Sequence, residues 1–281
     1  MNKKTTKTIN WKRHCALVAA LVVVSSGAWA ASEELKVPFS DPSKPGRVDI
    51  SILHGKVRIE GYDGREVLIT SDSKSMARPM SSSRAEREGM KRIGAPAGAL
   101  SIDERNNVMR MKSNAMMGES DLFLRVPQQT EIKVKCVNCT TLTVNNVSGG
   151  VELESLNGNV EIANVSGSIS VHSLNNKIKA TLRRVEEGKA LAFSSMNGEI
   201  DVTFPASLRA DVVVDNLNGE TFTDFEMQLE PNREVESKDN RDKGGSYRAE
   251  VSRNFKGKIN GGGTPIRFKN INGDILIRKG Q

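Results

Sequence analysis

Apolar and polar positions along this chain recur every nine residues, and each unit closes in a turn. The pattern is clearest at the centre. It reads Leu142-x-Val144-x-x-Val147-Ser148-Gly149, then Val151-x-Leu153-x-x-Leu156-Asn157-Gly158, then Val160-x-Ile162-x-x-Val165-Ser166-Gly167, then Ile169-x-Val171-x-x-Leu174-Asn175-Asn176. Val-Ser-Gly and Leu-Asn-Gly turns alternate, so the full unit is eighteen residues. Copies stand at Val48–Gly55, Val57–Gly64, Ile132–Cys139, Leu191–Gly198 and Ile266–Gly273. A period of this size marks a stacked architecture. Alternation with period two predicts half-buried strands. Gly after Asn or Ser predicts a backbone with φ > 0 at the bend.

Asn-Gly between alternating runs is also the signal of a β-hairpin, and facing pairs separate the two readings. A hairpin around Asn157-Gly158 would set Glu154 against Glu161 and Val151 against Asn164, which opposes like charges and pairs an apolar side chain with a polar one. An eighteen-residue coil instead stacks Val151 on Ile169, Leu153 on Val171, Leu156 on Leu174, Glu154 on His172 and Glu161 on Lys179. The expected fold is therefore all-β, a parallel β-solenoid of ~18-residue coils. Each buried Val, Ile or Leu contributes about 1.5–3 kcal/mol, so a coil with about six needs neighbours to be stable. Leu100, Ile102, Met109, Met111, Leu122 and Leu124 point inward on poorer strands.

Residues 72–97 and 226–250 fall outside the template and read as two inserted loops. The first combines Met76, Arg78, Met80, Arg84, Arg87, Met90, Lys91 and Arg92, and is the expected partner-contact loop. The second is a run of mixed charge.

The ends change the compositional picture. Residues 1–30 have the order of a secretory signal peptide: a basic start, an apolar run from Cys15 to Val24 too short to span a bilayer, and Ala28-Trp29-Ala30 before a new N-terminus at Ala31. Residues 31–46 form a cap or linker, with Pro38, Pro42 and Pro45 blunting the first edge, and 47–281 form the solenoid domain. Five of the 41 basic residues and none of the 34 acidic ones lie in the leader, which leaves 36 against 34. The basic balance is thus a targeting feature and does not indicate nucleic acid. Trp11 and Trp29 leave with the leader, which lowers the weight of a sugar-binding cleft. No later segment reads as a transmembrane helix, so the expected location is the periplasm or the cell surface.

The signal peptide, the Val-Ser-Gly and Leu-Asn-Gly repeats and the closing Ile-Asn-Gly-Asp-Ile-Leu-Ile resemble the bacterial putative-adhesin family of β-strand-repeat domains of unknown function, over residues ~47–280. The resemblance implies a β-helix-like fold in an envelope-associated or secreted protein, and it carries no catalytic motif.

Candidate chemistry is sparse. Cys136 and Cys139 are the only cysteines after the leader; in the repeat frame Cys139 takes the Gly slot and Cys136 points outward, and the pair is a candidate disulfide. A strand context disfavours a redox-active pair, and zinc would need four ligands. Seven methionines between residues 76 and 117 suggest either packing or soft-metal binding. His54 and His172 fit structural slots. Glu152, Glu154 and Glu161 would serve a carbohydrate-cleaving β-helix only if acids clustered, and their neighbours one coil on are Ser170, His172 and Lys179. No catalytic, cofactor or metal residue is assigned. The expected role is non-catalytic: adhesin-like binding or scaffolding toward an envelope or surface protein or polysaccharide. The rivals are a β-helix carbohydrate-active enzyme and a periplasmic stress or metal-handling protein.

Overall fold

The apolar repeat folds as strands throughout. The computed structural model describes residues 34–75, 100–113, 118–230, 235–239, 247–251 and 254–280, all within the unit Ser32–Gln281. These residues contain no α-helix. The strands are β1 (Leu35–Pro38), β2 (Arg47–Tyr62), β3 (Glu66–Ser75), β4 (Leu100–Arg105), β5 (Val108–Ser113), β6 (Gly118–Pro127), β7 (Glu131–Asn145), β8 (Val151–Ala163), β9 (Ile169–Asn175) and β10 (Ile178–Thr181). They continue as β11 (Leu191–Asn197), β12 (Ile200–Phe204), β13 (Ala210–Asn218), β14 (Thr221–Thr223), β15 (Met227–Glu230), β16 (Val235–Asp239), β17 (Tyr247–Val251), β18 (Phe255–Ile259), β19 (Thr264–Asn272) and β20 (Ile275–Lys279).

Two ladders of strands share the core, and β2, β7 and β8 bend at a corner to serve both. The first ladder runs β2–β7–β8–β9–β11–β19–β13, all parallel. The second runs β6–β2–β7–β8–β10–β12–β20–β14, also parallel. Val151 pairs with Ile169, Leu153 with Val171, Glu154 with His172 and Glu161 with Lys179, the register that eighteen-residue stacking predicts. Asn157-Gly158 is no hairpin: β8 bends there and continues as one strand. Along the parallel ladders, inward Val, Ile and Leu residues meet their equivalents one strand away, so alternation makes one continuous core.

A stack that is parallel throughout is not what forms. The sheet is mixed, because β1–β3, β3–β6, β4–β5, β13–β18 and β15–β18 pair antiparallel. The antiparallel strands lie toward the two ends, where a parallel coil would leave an unpaired edge. The segments expected as loops also differ. Residues 72–75 belong to β3 and pair with β6, and β15, β16 and β17 lie within or across the limits of 226–250. Residues 76–97 lie outside the described residues. The inward placement of Leu100, Ile102, Met109, Met111, Leu122 and Leu124 holds, with both methionines fully buried.

Spatial order departs from chain order twice among the described residues. β2 lies between the later coil β5/β6 and β7. The last coil, β19 and β20, lies between the coil β11/β12 and the coil β13/β14. Three fully buried rings pin it there. Phe268 stacks on Phe193 with centroids 5.5 Å apart, and Phe204 meets both edge-on. Substituting Phe268→Ala removes the central ring and leaves a cavity; the expected loss is about 3–5 kcal/mol in urea unfolding, with β circular dichroism retained in the folded fraction.

Candidate functional site

Two kinds of corner bend each coil, and the position of one left-handed residue decides what faces water. At the Val-Ser-Gly corner that residue is the Asn before the valine: Asn146 has φ 58° and Asn164 φ 54°. It breaks the alternation early, so Val147 and Val165 turn inward and are 1% exposed. At the Leu-Asn-Gly corner the left-handed residue comes later, at Gly158 with φ 132°. Alternation therefore runs on from Val151, turning Ser155 inward and Leu156 outward. Leu156 was expected in the core; it is 43% exposed, and Leu174 is half-buried.

This displacement repeats in every coil and makes a stripe. Ile52, Cys136, Ser155, Ser173, Ser195, Asn270 and Asn216 are paired in sequence across the first ladder, as are His54, Asn138, Asn157, Asn175, Asn197, Asn272 and Asn218. The residue between each such pair is apolar: Leu53, Val137, Leu156, Leu174, Met196, Ile271 and Leu217. Val137 is 37% exposed, Met196 40% and Leu217 57%, and Leu53, Leu174 and Ile271 are half-buried. Six strand spacings of roughly 4.8 Å give the stripe a length of about 29 Å. An apolar row held outward on a rigid sheet is a feature of interaction surfaces.

An asparagine ladder borders the stripe. The Nδ2 of Asn157 donates to Oδ1 of Asn138 at 2.7 Å, Asn175 to Asn157 at 2.8 Å, Asn197 to Asn175 at 2.9 Å, Asn272 to Asn197 at 2.7 Å and Asn218 to Asn272 at 3.0 Å. All five bonds point the same way. On the inner side of the corner lie buried polar groups: Ser155, Ser173, Ser195, Asn270 and Asn216. Asn270 donates to the carbonyls of Gly198 and Gly273, each at 2.9 Å, which ties the inserted last coil to its neighbour.

The charged faces are internally paired. Lys133 meets Glu152 at 2.6 Å and Lys135 meets Glu154 at 2.8 Å, and the latter hydrogen bond holds the Lys135 ammonium above its ordinary pKa. Glu161 lies in register with Lys179. Asp201, nearly buried, is held between Arg278 at 2.8 Å and Lys177 at 3.3 Å. Glu152, Glu154 and Glu161 therefore have cations beside them, and the spaced carboxylate pair that glycoside cleavage needs does not form there. A separate cleft of about 260 Å³ lies between Phe39, Pro42–Gly46, Tyr62–Arg65 and Pro127–Thr130, with Asp63 as the one carboxylate among the described residues of its wall. Beside it the Ser43 hydroxyl and Lys44 hold Asp41 down to a pKa of about 2.

Of the residues singled out in the sequence, Cys136 and Cys139 are joined to each other, with Cα atoms 5.9 Å apart. Both are buried, so the outward placement expected for Cys136 is wrong: it occupies the inward slot that Ser155 fills one coil on. Met109 and Met111 are core residues. Met76, Arg78, Met80, Arg84, Arg87, Met90, Lys91 and Arg92, with Met116 and Met117, lie outside the described residues. Among the described residues, no group of three or more His, Cys, Asp and Glu could hold a metal ion, and no helix is long and apolar enough to cross a membrane. Sequence reasoning missed the stripe because it assigned every repeat leucine to the core; the signal was the order of the left-handed residue and the apolar one.

Residues 66–278 match the Toastrack DUF4097 family, and the chain belongs to that family. This agrees with the resemblance to adhesin-type domains of unknown function. No curated protein matches the chain. Among solved structures, one described as a putative cell adhesion protein from Clostridium sporogenes ATCC 15579 is similar at 10% identity and a TM-score of 0.44, over 88% of this chain and 99% of that one.

The corner depends on Gly158, where an added Cβ would collide with the carbonyl oxygen of Cys139 in the preceding coil. Gly261 has φ 85° but nothing near it. Gly261→Ala should cost about 1–2 kcal/mol from backbone handedness alone. Gly158→Ala should cost measurably more than Gly261→Ala in parallel denaturant titrations, because two strands must also move apart. Equal costs would show that the close approach of the coils is not needed.

Proposed function

We propose that this member of the Toastrack DUF4097 family is a non-catalytic, adhesin-like binding or scaffolding protein of the cell envelope. It is exported on the leader at residues 1–30 and folds as a parallel β-solenoid whose ends carry antiparallel strands. The observation that carries the binding role is the outward stripe of Leu53, Val137, Leu156, Leu174, Met196, Ile271 and Leu217 beside the asparagine ladder. A surface built this way offers apolar contact from the side chains and hydrogen bonding from the amides over several coils. It suits an extended protein or polysaccharide partner better than a small substrate. The carbohydrate-active and metal-handling alternatives find no support at Glu152, Glu154, Met109 or Met111.

Stripe and scaffold separate experimentally. The mature chain, fluorescently labelled, is titrated onto envelope fragments of the producing cells. The double variant Leu156→Lys/Met196→Lys alters two half-exposed side chains and should keep the fold, while its retained binding should fall at least tenfold. Unchanged binding would remove the stripe from the functional surface.

Export makes a second expectation concrete. In an oxidising compartment Cys136 and Cys139 remain joined, and their burial shields them from reductant. Alkylation of the protein taken from cells should label neither cysteine in the native state, and should label both only after denaturation with reductant. Labelling after denaturation without reductant would place the chain in a reducing compartment.

A further inference from the structure

The coil Ala210–Thr223 ends the stack and has one edge that is only partly covered. β18 pairs with β13 over Ala210–Val214 and goes no further. β14 pairs with β20 on one side, and among the described residues no strand pairs with its other side or with the outer edge of Asp215–Asn218. Asn218 accepts through its backbone carbonyl from Gly273, on the inner side; alternation therefore sends the backbone groups of Leu217 to the open edge. Unpaired backbone in an extended strand is a template for strand addition.

Three further features say what kind of strand fits. The asparagine ladder runs in one direction and stops at Asn218, whose side-chain oxygen receives no donor among the described residues, while its amide donates to Asn272 at 3.0 Å. The apolar stripe ends there as well, at Leu217, which is 57% exposed. The adjoining column, just past the corner, holds Lys177, Glu199, Asp274 and Glu220 in stacking order, so it ends in three acids. Lys177 meets Glu199 at 2.6 Å one strand away, which shows how a lysine in this column satisfies a neighbouring carboxylate.

We infer that the open edge of Asp215–Thr223 is a docking site for an extended, basic strand from another protein, added parallel to β13 and β14. This strand places an apolar side chain beside Leu217. It places an Asn or Gln beside Asn218, donating to Oδ1, and a Lys or Arg beside Glu220. A folded second copy does not supply it, because each other strand bearing the apolar-Asn pattern is already paired on both edges. The inference rests on the edge and not on the middle of the stripe, so it stands or falls separately from the envelope-binding reading.

The probe is a labelled peptide copying Ile169–Thr181, which carries Leu174, Asn175 and Lys177 at the three positions required. Fluorescence anisotropy with the mature chain should show saturable binding. The peptides with Asn175→Asp or Lys177→Glu should bind at least tenfold more weakly. Leu217→Lys in the protein should weaken binding by a similar factor, with Thr221→Lys as the second edge variant if the first does not fold. Leu156→Lys, in mid-stripe, should leave peptide binding unchanged. Absence of saturable binding, indifference to the Lys177→Glu change, or equal loss in the Leu156→Lys protein would each overturn the docking site.

Discussion

In-register stacking of equivalent residues is the constraint on which everything else here depends. A parallel strand that slipped by one residue would turn its whole apolar set to water. The repeat prevents this by placing Val, Leu or Ile at matching positions in successive coils, so that Val151 meets Ile169 and Leu191 meets both Ile169 and Ile266. The same register that aligns the core also aligns whatever is not core. Amides stack on amides at the asparagine corner, and Lys133 and Lys135 fall beside Glu152 and Glu154. Exposed ion pairs of this kind add little stability, each about 0.2–1 kcal/mol. Their effect is to keep a flat face close to neutral and leave apolar contact to the stripe.

Much of the fold could be read directly from residue spacing. Eighteen-residue self-similarity predicted parallel pairing, and the charge of facing residues excluded the hairpin at Asn157-Gly158. The antiparallel ends were harder to see, because β4 and β18 lack the repeat, β3 carries only the start of a copy at Val67-x-Ile69, and their pairing partners are fixed by the edges they cover. The insertion of β19/β20 between two earlier coils was invisible for a different reason. Its residues obey the same template as every other coil, so the sequence contains nothing to say between which neighbours it stacks. That choice is made by three-dimensional packing, with Phe193, Phe204 and Phe268 as its main anchor.

The candidate surface was legible in part. Six of its seven apolar residues, Leu53 to Ile271, stood in the copies of the repeat named from the sequence and were read as core, because apolar character alone was taken as evidence of burial; Leu217 lies in a further copy, Val212–Gly219, that the reading missed. The distinction lies in the backbone. Asn164, left-handed and placed before Val165, resets the alternation in time to bury it; Gly158, placed after Leu156, resets it too late. Asn176 takes φ 93° where other coils use Gly, since an amide side chain tolerates that conformation. Two turn types that look interchangeable in sequence thus differ in whether a left-handed Asn precedes the apolar residue, and that difference separates a core residue from an exposed one. Cys136 shows the same logic in reverse: it was read outward, but unbroken alternation from Ile132 carries it inward.

Inserting the last coil also decides which coil ends the stack. Had the coils stacked in chain order, the chain's closing coil would have formed the end of the stack. Instead the end coil comes from Ala210–Thr223, in mid-chain, and the segment that follows it must fold back across that end as β15 and β18. Those strands cover the first half of β13 and stop short of its corner. The asparagine ladder, the apolar stripe and the acidic column all converge on the part left open. The edge of a stack is where a stacked protein is least self-sufficient, and here that edge carries the same three-row pattern that holds successive coils to one another.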